Sequence, residues 1–223
     1  MARDYNVSCE VSGYYAMWTR PDTGDCPVSY PAPTFSAAKG IFESILWGPA
    51  IDITPTCVEI CRPVKYQNYI TNYGGPLRKA EAVSMDNNYQ LMATVLVDVC
   101  YKFYAKVAPV RMGREFLPDS AIKWDKMTTS PGHAYKAIFE RRLKRGQCFS
   151  IPFLGWKEFV PQYVGPLRDS TKAYKDLSIT IPSMLNKVFP NGFESDVNFV
   201  FTQDIHIKNG VLIYPERKEG NNA

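Results

Sequence analysis

Histidine is scarce in this chain of 223 residues, where only His133 and His206 occur. The six cysteines (Cys9, Cys26, Cys57, Cys61, Cys100, Cys148) offer one close pair, Cys57-x-x-x-Cys61, and no second pair to complete a zinc site. They are too sparse for a disulfide scaffold, and we read them as reduced, buried or half-buried structural thiols. No stretch approaches the roughly 18 apolar residues of a membrane span, and Met-Ala-Arg-Asp-Tyr-Asn at the start has no apolar run behind a basic patch, so the expected location is the cytoplasm. A Gly-rich phosphate loop and a paired-acid motif are also missing, which argues against a nucleotide-dependent enzyme or one using two carboxylates. What remains has ordinary globular proportions, 45% hydrophobic and 22% charged.

The net charge is only +4, but it is concentrated. Lys126, Lys136, Arg141, Arg142, Lys144 and Arg145 fall between residues 126 and 146 with Glu140 as the single acid, leaving the rest of the chain near neutral. A basic block on a neutral body suits a polyanion partner, and it equally suits a solvated helix face with cations toward its C-terminus.

Alternation over Tyr5, Val7, Cys9 and Val11 predicts a strand ending at Gly13. Thr34 or Ser36 then caps a helix carrying Ala37, Ala38, Ile41, Phe42, Ile45 and Leu46, stopped by Gly48-Pro49 after Trp47. Thr56 to Arg62 and Leu91 to Val107 read as strands. Between them, about 63–88, Lys65, Tyr66, Tyr69, Arg78 and Lys79 surround Gly74-Gly75-Pro76 without core periodicity. That composition predicts a protruding hairpin whose tyrosines either stack on unpaired bases or lie flat on the body.

A linker from Pro109 to Pro131 leads to a second helix from about Gly132 to Arg145, with Gly146 after its end. Residues 147–151 and 154–160 read as short strands. Strand, helix, strand, strand, helix, strand is the order of a ferredoxin-like α+β domain, βαββαβ, here 1–160. Residues 161–223 read as a small β-rich C-terminal subdomain, with Asn209-Gly210 as a hairpin turn.

Four motifs occur in order: Pro31-x-Pro33-Thr34-x-Ser36-Ala37-Ala38-Lys39-Gly40-Ile41; Glu43-Ser44-Ile45-x-Trp47-x-Pro49; Phe139-x-Arg141-Arg142-Leu143-x-x-Gly146-Gln147-Cys148-Phe149; and Phe153-Leu154-Gly155-x-x-Glu158-Phe159. In these the chain resembles the CRISPR-associated RAMP proteins of Cas family five, subtype I-C, often labelled Dvulg, over about residues 6–160. The resemblance implies a ferredoxin-like (RAMP, RRM-like) domain that holds the 5′ handle of a CRISPR RNA in the Cascade surveillance complex. Its implied neighbours are the backbone and large subunits, with target DNA met only through the complex and no membrane. The segment 63–88 would be the family's thumb.

The resemblance also implies cleavage of the CRISPR repeat RNA without a metal or other cofactor. Such cleavage needs proton transfer at the 2′-OH and the leaving 5′ oxygen, and positive charge on the phosphorane. Family members are thought to use a tyrosine late in the first helix and a lysine-histidine pair at the start of the second. In this chain those positions hold Leu46, Ala134 and Tyr135, while His133, Tyr135 and Lys136 offer the same chemical types one or two residues displaced, and these three are the candidate catalytic residues. Candidate RNA contacts are Arg20, Lys39, Lys65, Tyr66, Tyr69, Arg78, Lys79, Arg141, Arg142, Lys144 and Arg145. The alternatives are a non-catalytic RNA-binding subunit of the same complex and a stand-alone RNA-binding module outside CRISPR.

Overall fold

The computed structural model describes residues 5–72, 90–110, 117–128, 130–188 and 198–215. The strands are β1 (Tyr5–Ala16), β2 (Ile51–Ile60), β3 (Tyr66–Asn72), β4 (Gln90–Pro109), β5 (Tyr163–Gly165), β6 (Ile179–Lys187), β7 (Val200–Lys208) and β8 (Val211–Ile213). The helices are α1 (Phe35–Ile45), α2 (Asp119–Met127) and α3 (Pro131–Lys144). All eight strands form one antiparallel sheet in the order β5-β1-β4-β2-β8-β7-β6, with β3 paired to β4 off that path.

The long strand β4 organises the sheet. One edge pairs with β1 from Tyr5↔Val107 to Ala16↔Leu96, and the other pairs with β2 and then with β3. The handover falls at Asp98, whose φ of 53° bends the strand and whose carboxylate meets Arg62 from the turn between β2 and β3.

Alternation in these strands puts one set of residues under the helices. Val7, Cys9 and Val11 of β1, Tyr101, Phe103 and Val107 of β4 and Ile53, Val58 and Ile60 of β2 are buried there. From α1, Phe42 packs edge-on to Phe103 with ring centroids 6.4 Å apart, and lies 5.8 Å from Phe139 of α3. Thr34 caps α1 by accepting the Ala37 N–H at 3.2 Å. Ser130 makes no side-chain cap for α3 and bonds the Tyr5 hydroxyl at 2.9 Å instead.

Three expectations change. Residues 147–151 and 154–160 are loop, and the strand after α3 is β5. Their apolar alternation arises because this loop docks residue by residue: Leu154 and Phe159 are buried, whereas Phe149, Ile151 and Phe153 are exposed. The linker from Pro109 to Pro131 contains α2, whose apolar face is small, Ala121 being buried and Trp124 half-buried against the core. Two of the six cysteines, Cys26 and Cys148, are exposed.

Of segment 63–88, residues 66–72 form β3, and the remainder from Tyr73 onward, with Arg78 and Lys79, lies outside the described residues. The C-terminal strands extend the same sheet through β8, which pairs with β2 at Cys57↔Ile213. Asn209 (φ 51°) and Gly210 (φ 76°) form the expected tight turn between β7 and β8.

Candidate nucleic-acid interface

An α-helix leaves its last carbonyls without intrahelical partners. At the end of α1 those carbonyls are taken by α3 and the loop that follows it. The Ser44 carbonyl accepts the N–H groups of Phe149 (2.8 Å) and Ser150 (3.0 Å). The Ile45 carbonyl accepts Phe149 N–H at 3.2 Å and Nη1 of Arg142 at 3.3 Å. The Leu46 carbonyl accepts the hydroxyl of Tyr135. The motif around Ser44-Ile45-x-Trp47 and the motif ending in Gln147-Cys148-Phe149 are therefore two sides of one joint.

The three catalytic candidates do not share one environment. His133 is exposed in the first turn of α3, its ring edge-on to Tyr5 at 5.8 Å. Lys136, one turn further along the same strip, is half-buried and faces Glu140 at 3.7 Å. Tyr135 is 3% exposed, lies parallel to Phe139 at 6.5 Å and donates its hydroxyl to Leu46. Burial, then the nearby Glu43 charge, pushes that hydroxyl's pKa up, so Tyr135 is a neutral donor inside the core. Leu46 is itself buried, and its side chain offers no proton-transfer group.

The basic candidates divide in the same way. Arg141, Lys144 and Arg145 are exposed, and none is in a salt bridge among the described residues. Arg142 is half-buried and bonded to Ile45. Arg20 is tied to Asp22 by two bonds of 3.1 and 2.7 Å and lies 5.7 Å from the Tyr30 ring. Lys39 meets Asp52 at 2.7 Å and Glu43 at 3.9 Å. These two cations are engaged by carboxylates within the chain, unlike Arg141, Lys144 and Arg145. Lys65 and Tyr66 are exposed, but Tyr69 is half-buried among Tyr15, Trp156 and Phe159, at 5.8, 6.5 and 5.2 Å. Among the described residues no group of three or more His, Cys, Asp or Glu side chains is placed to hold a metal ion.

A polar network on the other face of the sheet escapes sequence reasoning. Glu10 of β1 is 0% exposed; its carboxylate accepts Nε (2.8 Å), Nη2 (2.5 Å) and the backbone N–H (2.7 Å) of Arg168, and Thr171 Oγ1 at 2.8 Å. Lys102 of β4, directly opposite Glu10, donates to the carbonyls of Arg168 (3.0 Å) and Thr171 (2.7 Å). In an alternating strand Glu10 reads as solvent-facing, and neither it nor Arg168 is marked in the sequence as the other's partner.

The family model for the Cas5d branch, described as CRISPR-associated protein (Cas_Cas5), matches residues 7–218. A protein of Mannheimia succiniciproducens named CRISPR pre-crRNA endoribonuclease Cas5d is 28% identical over 219 residues, covering 92% of this chain and 86% of that protein. A Thermus thermophilus protein of the same name is 32% identical over 161 residues, covering 72% of this chain and 63% of that one. A crystal structure of a CRISPR-associated protein superposes with a TM-score of 0.68 at 20% identity, over 99% of this chain and 95% of that one. A chain from a CRISPR RNA-guided surveillance complex gives 0.53 at 14% identity, over 93% and 91%. A family match running through β1, both long helices and the β6–β8 strands makes this chain a member of the Cas5d family of CRISPR-associated proteins.

Proposed function

We propose that this chain binds the 5′ handle of a CRISPR RNA as a subunit of a type I-C Cascade surveillance complex and cuts the precursor repeat from which that RNA is made. The observation that carries this reading is the exposed row Arg141 and Lys144 on α3 and Arg145 at its C-cap, free of salt bridges among the described residues and continuous with the joint to α1. Unpaired cations held on a rigid helix attract phosphates at little reorganisation cost. Both curated relatives carry the name pre-crRNA endoribonuclease.

His133 and Lys136 are the reacting pair in this proposal. Histidine can exchange a proton near neutral pH, so His133 takes the 2′-OH proton or gives one to the leaving oxygen, and Lys136 offsets charge on the phosphorane. The 2′ oxygen bonds to phosphorus as the P–O5′ bond breaks, giving a 2′,3′-cyclic phosphate and a 5′-hydroxyl. Tyr135 fastens α3 to the end of α1 through the Leu46 carbonyl and takes no part in the proton transfers. Its burial, together with Leu46 at the expected tyrosine position, favours a second reading: a subunit that binds the handle while another nuclease matures it.

The strand order β5-β1-β4-β2, with α1 and α3 against one face, supports the ferredoxin-like reading of the first part of the chain. We divide the chain near residue 160, with β5 returning to the first sheet region and β6 to β8 as the C-terminal extension. β3 is the base of the proposed thumb, reaching toward the backbone subunit, with the large subunit as the other neighbour and the cytoplasm as the location. Purification from source cells tests the assignment: short RNAs sharing one 5′ end are expected with the chain, and recovery of unrelated RNAs, or of none, would contradict it.

A further inference from the structure

Trp47 and Phe149 stand outward from the joint between α1 and α3. They are 50% and 60% exposed, with ring centroids 5.9 Å apart and planes at 32°. Exposing two large aromatic rings side by side forfeits apolar burial, yet the backbone beneath them is firmly held. Phe149 N–H is bonded to Ser44 and Ile45, and Leu46, the neighbour of Trp47, is fixed by its own N–H to Phe42 at 3.1 Å and by Tyr135 at its carbonyl. The joint therefore presents the rings on a rigid base, so little ordering cost remains when something covers them.

Charge complementarity identifies the occupant. Phe149 follows Arg145 by four residues, and Arg141, Lys144 and Arg145 are exposed cations without salt bridges among the described residues. A single strand of nucleic acid offers flat base faces and phosphates together, which suits exposed aromatic rings carried on the same joint as a run of exposed cations. From this juxtaposition we infer that Trp47 and Phe149 form a stacking platform for an unpaired nucleobase of the bound RNA, next to the phosphate contacts of α3. The inference rests on the RNA-binding reading above and names the base-contacting side chains of that site.

The test uses the full chain and a short single-stranded RNA containing the 5′ handle. Affinity is measured across a salt series for the parent, Trp47→Ala, Phe149→Ala, Trp47→Phe and Lys144→Ala/Arg145→Ala. Loss of one stacked base is expected to weaken binding about tenfold with the slope of log K against log salt unchanged. Trp47→Phe should recover most of the affinity, while the double basic variant should flatten the slope. Aromatic variants that fold and bind like the parent, while the basic variant is impaired, overturn the platform alone. A parent that does not bind the RNA overturns the RNA-binding reading and the platform with it. If Trp47→Ala keeps RNA affinity but fails to join the other complex subunits, the rings serve a protein interface and the inference is wrong.

Discussion

The guanidinium of Arg168 closes onto the carboxylate of Glu10 across 158 residues of sequence, with Nε at 2.8 Å and Nη2 at 2.5 Å from the same oxygen. Through it the segment after β5 is strapped to the middle of β1, on the sheet face away from the helices. A fully buried carboxylate is tolerable only because its bonds to Arg168 and Thr171 replace its water.

Arg168→Ala leaves that carboxylate buried without its cation, and a loss of about 2 to 3 kcal/mol of unfolding free energy is expected. Glu10→Gln should also lower stability, because the amide keeps one accepting oxygen for the guanidinium but turns an NH2 donor toward an N–H of Arg168. Equilibrium urea unfolding at neutral pH would measure both, and an Arg168→Ala midpoint equal to the parent's would show that the strap does not hold the fold.

Burial raises the pKa of Glu10, but bonds to the Arg168 side chain and backbone and to Thr171 outweigh it, holding the carboxyl below its ordinary range. With the folded value depressed, the contribution of Glu10 is present above the unfolded pKa of about 4.3 and is lost as pH falls through the folded value. Stability followed from pH 6 downward should therefore decline less steeply in Glu10→Gln than in the parent.

Gly155 has φ of 92°, and a Cβ there would lie 1.8 Å from the carbonyl oxygen of Met17. Gly155→Ala must open the bond between Met17 N–H and Leu154, which is 2.9 Å long. A lower thermal midpoint is expected, the strain being on the order of 1 to 3 kcal/mol. An unshifted melt would show that the loop at 153–159 is not pinned as described.

Lys39→Ala should leave the salt dependence of RNA binding unchanged, because its ammonium is held by Asp52 and Glu43. Removing Lys144 and Arg145 together should lower the slope by roughly 0.7 for each phosphate of a single strand that they neutralise. Equal slopes for the two variants would contradict the division between engaged and free cations.

What could be read from the sequence was set by locality. Periodicity locates α1 and α3, and β-branched and aromatic density locates β4, because each signal lies within one element. The Asn209-Gly210 turn is visible for the same reason. The loop at 147–160 imitates strands because its apolar residues alternate, and only the docking of its N–H groups on α1 reveals otherwise. Within the site, the basic residues of α3 are legible as a charge run, but their division into free and bonded cations depends on distant partners such as Ile45. Tyr135 resembles a site residue in sequence, and its burial follows from where Leu46 and Phe139 lie in space. Glu10 and Arg168, far apart in the chain, carry no local mark of their pairing.

The central claim is that the start of α3 cuts RNA, and single-turnover cleavage of the chain's own repeat RNA, with protein in excess and EDTA present, tests it most directly. The parent should yield a 2′,3′-cyclic phosphate end, and His133→Ala should be slower by roughly 100-fold to 10,000-fold at nearly unchanged affinity. Lys136→Ala should also be impaired, whereas Tyr135→Phe, which loses one buried hydrogen bond worth about 1 kcal/mol of stability, should retain most of the rate. Cleavage by the His133 and Lys136 variants at the parental rate, or a parent that binds its repeat and leaves it whole, would contradict the claim.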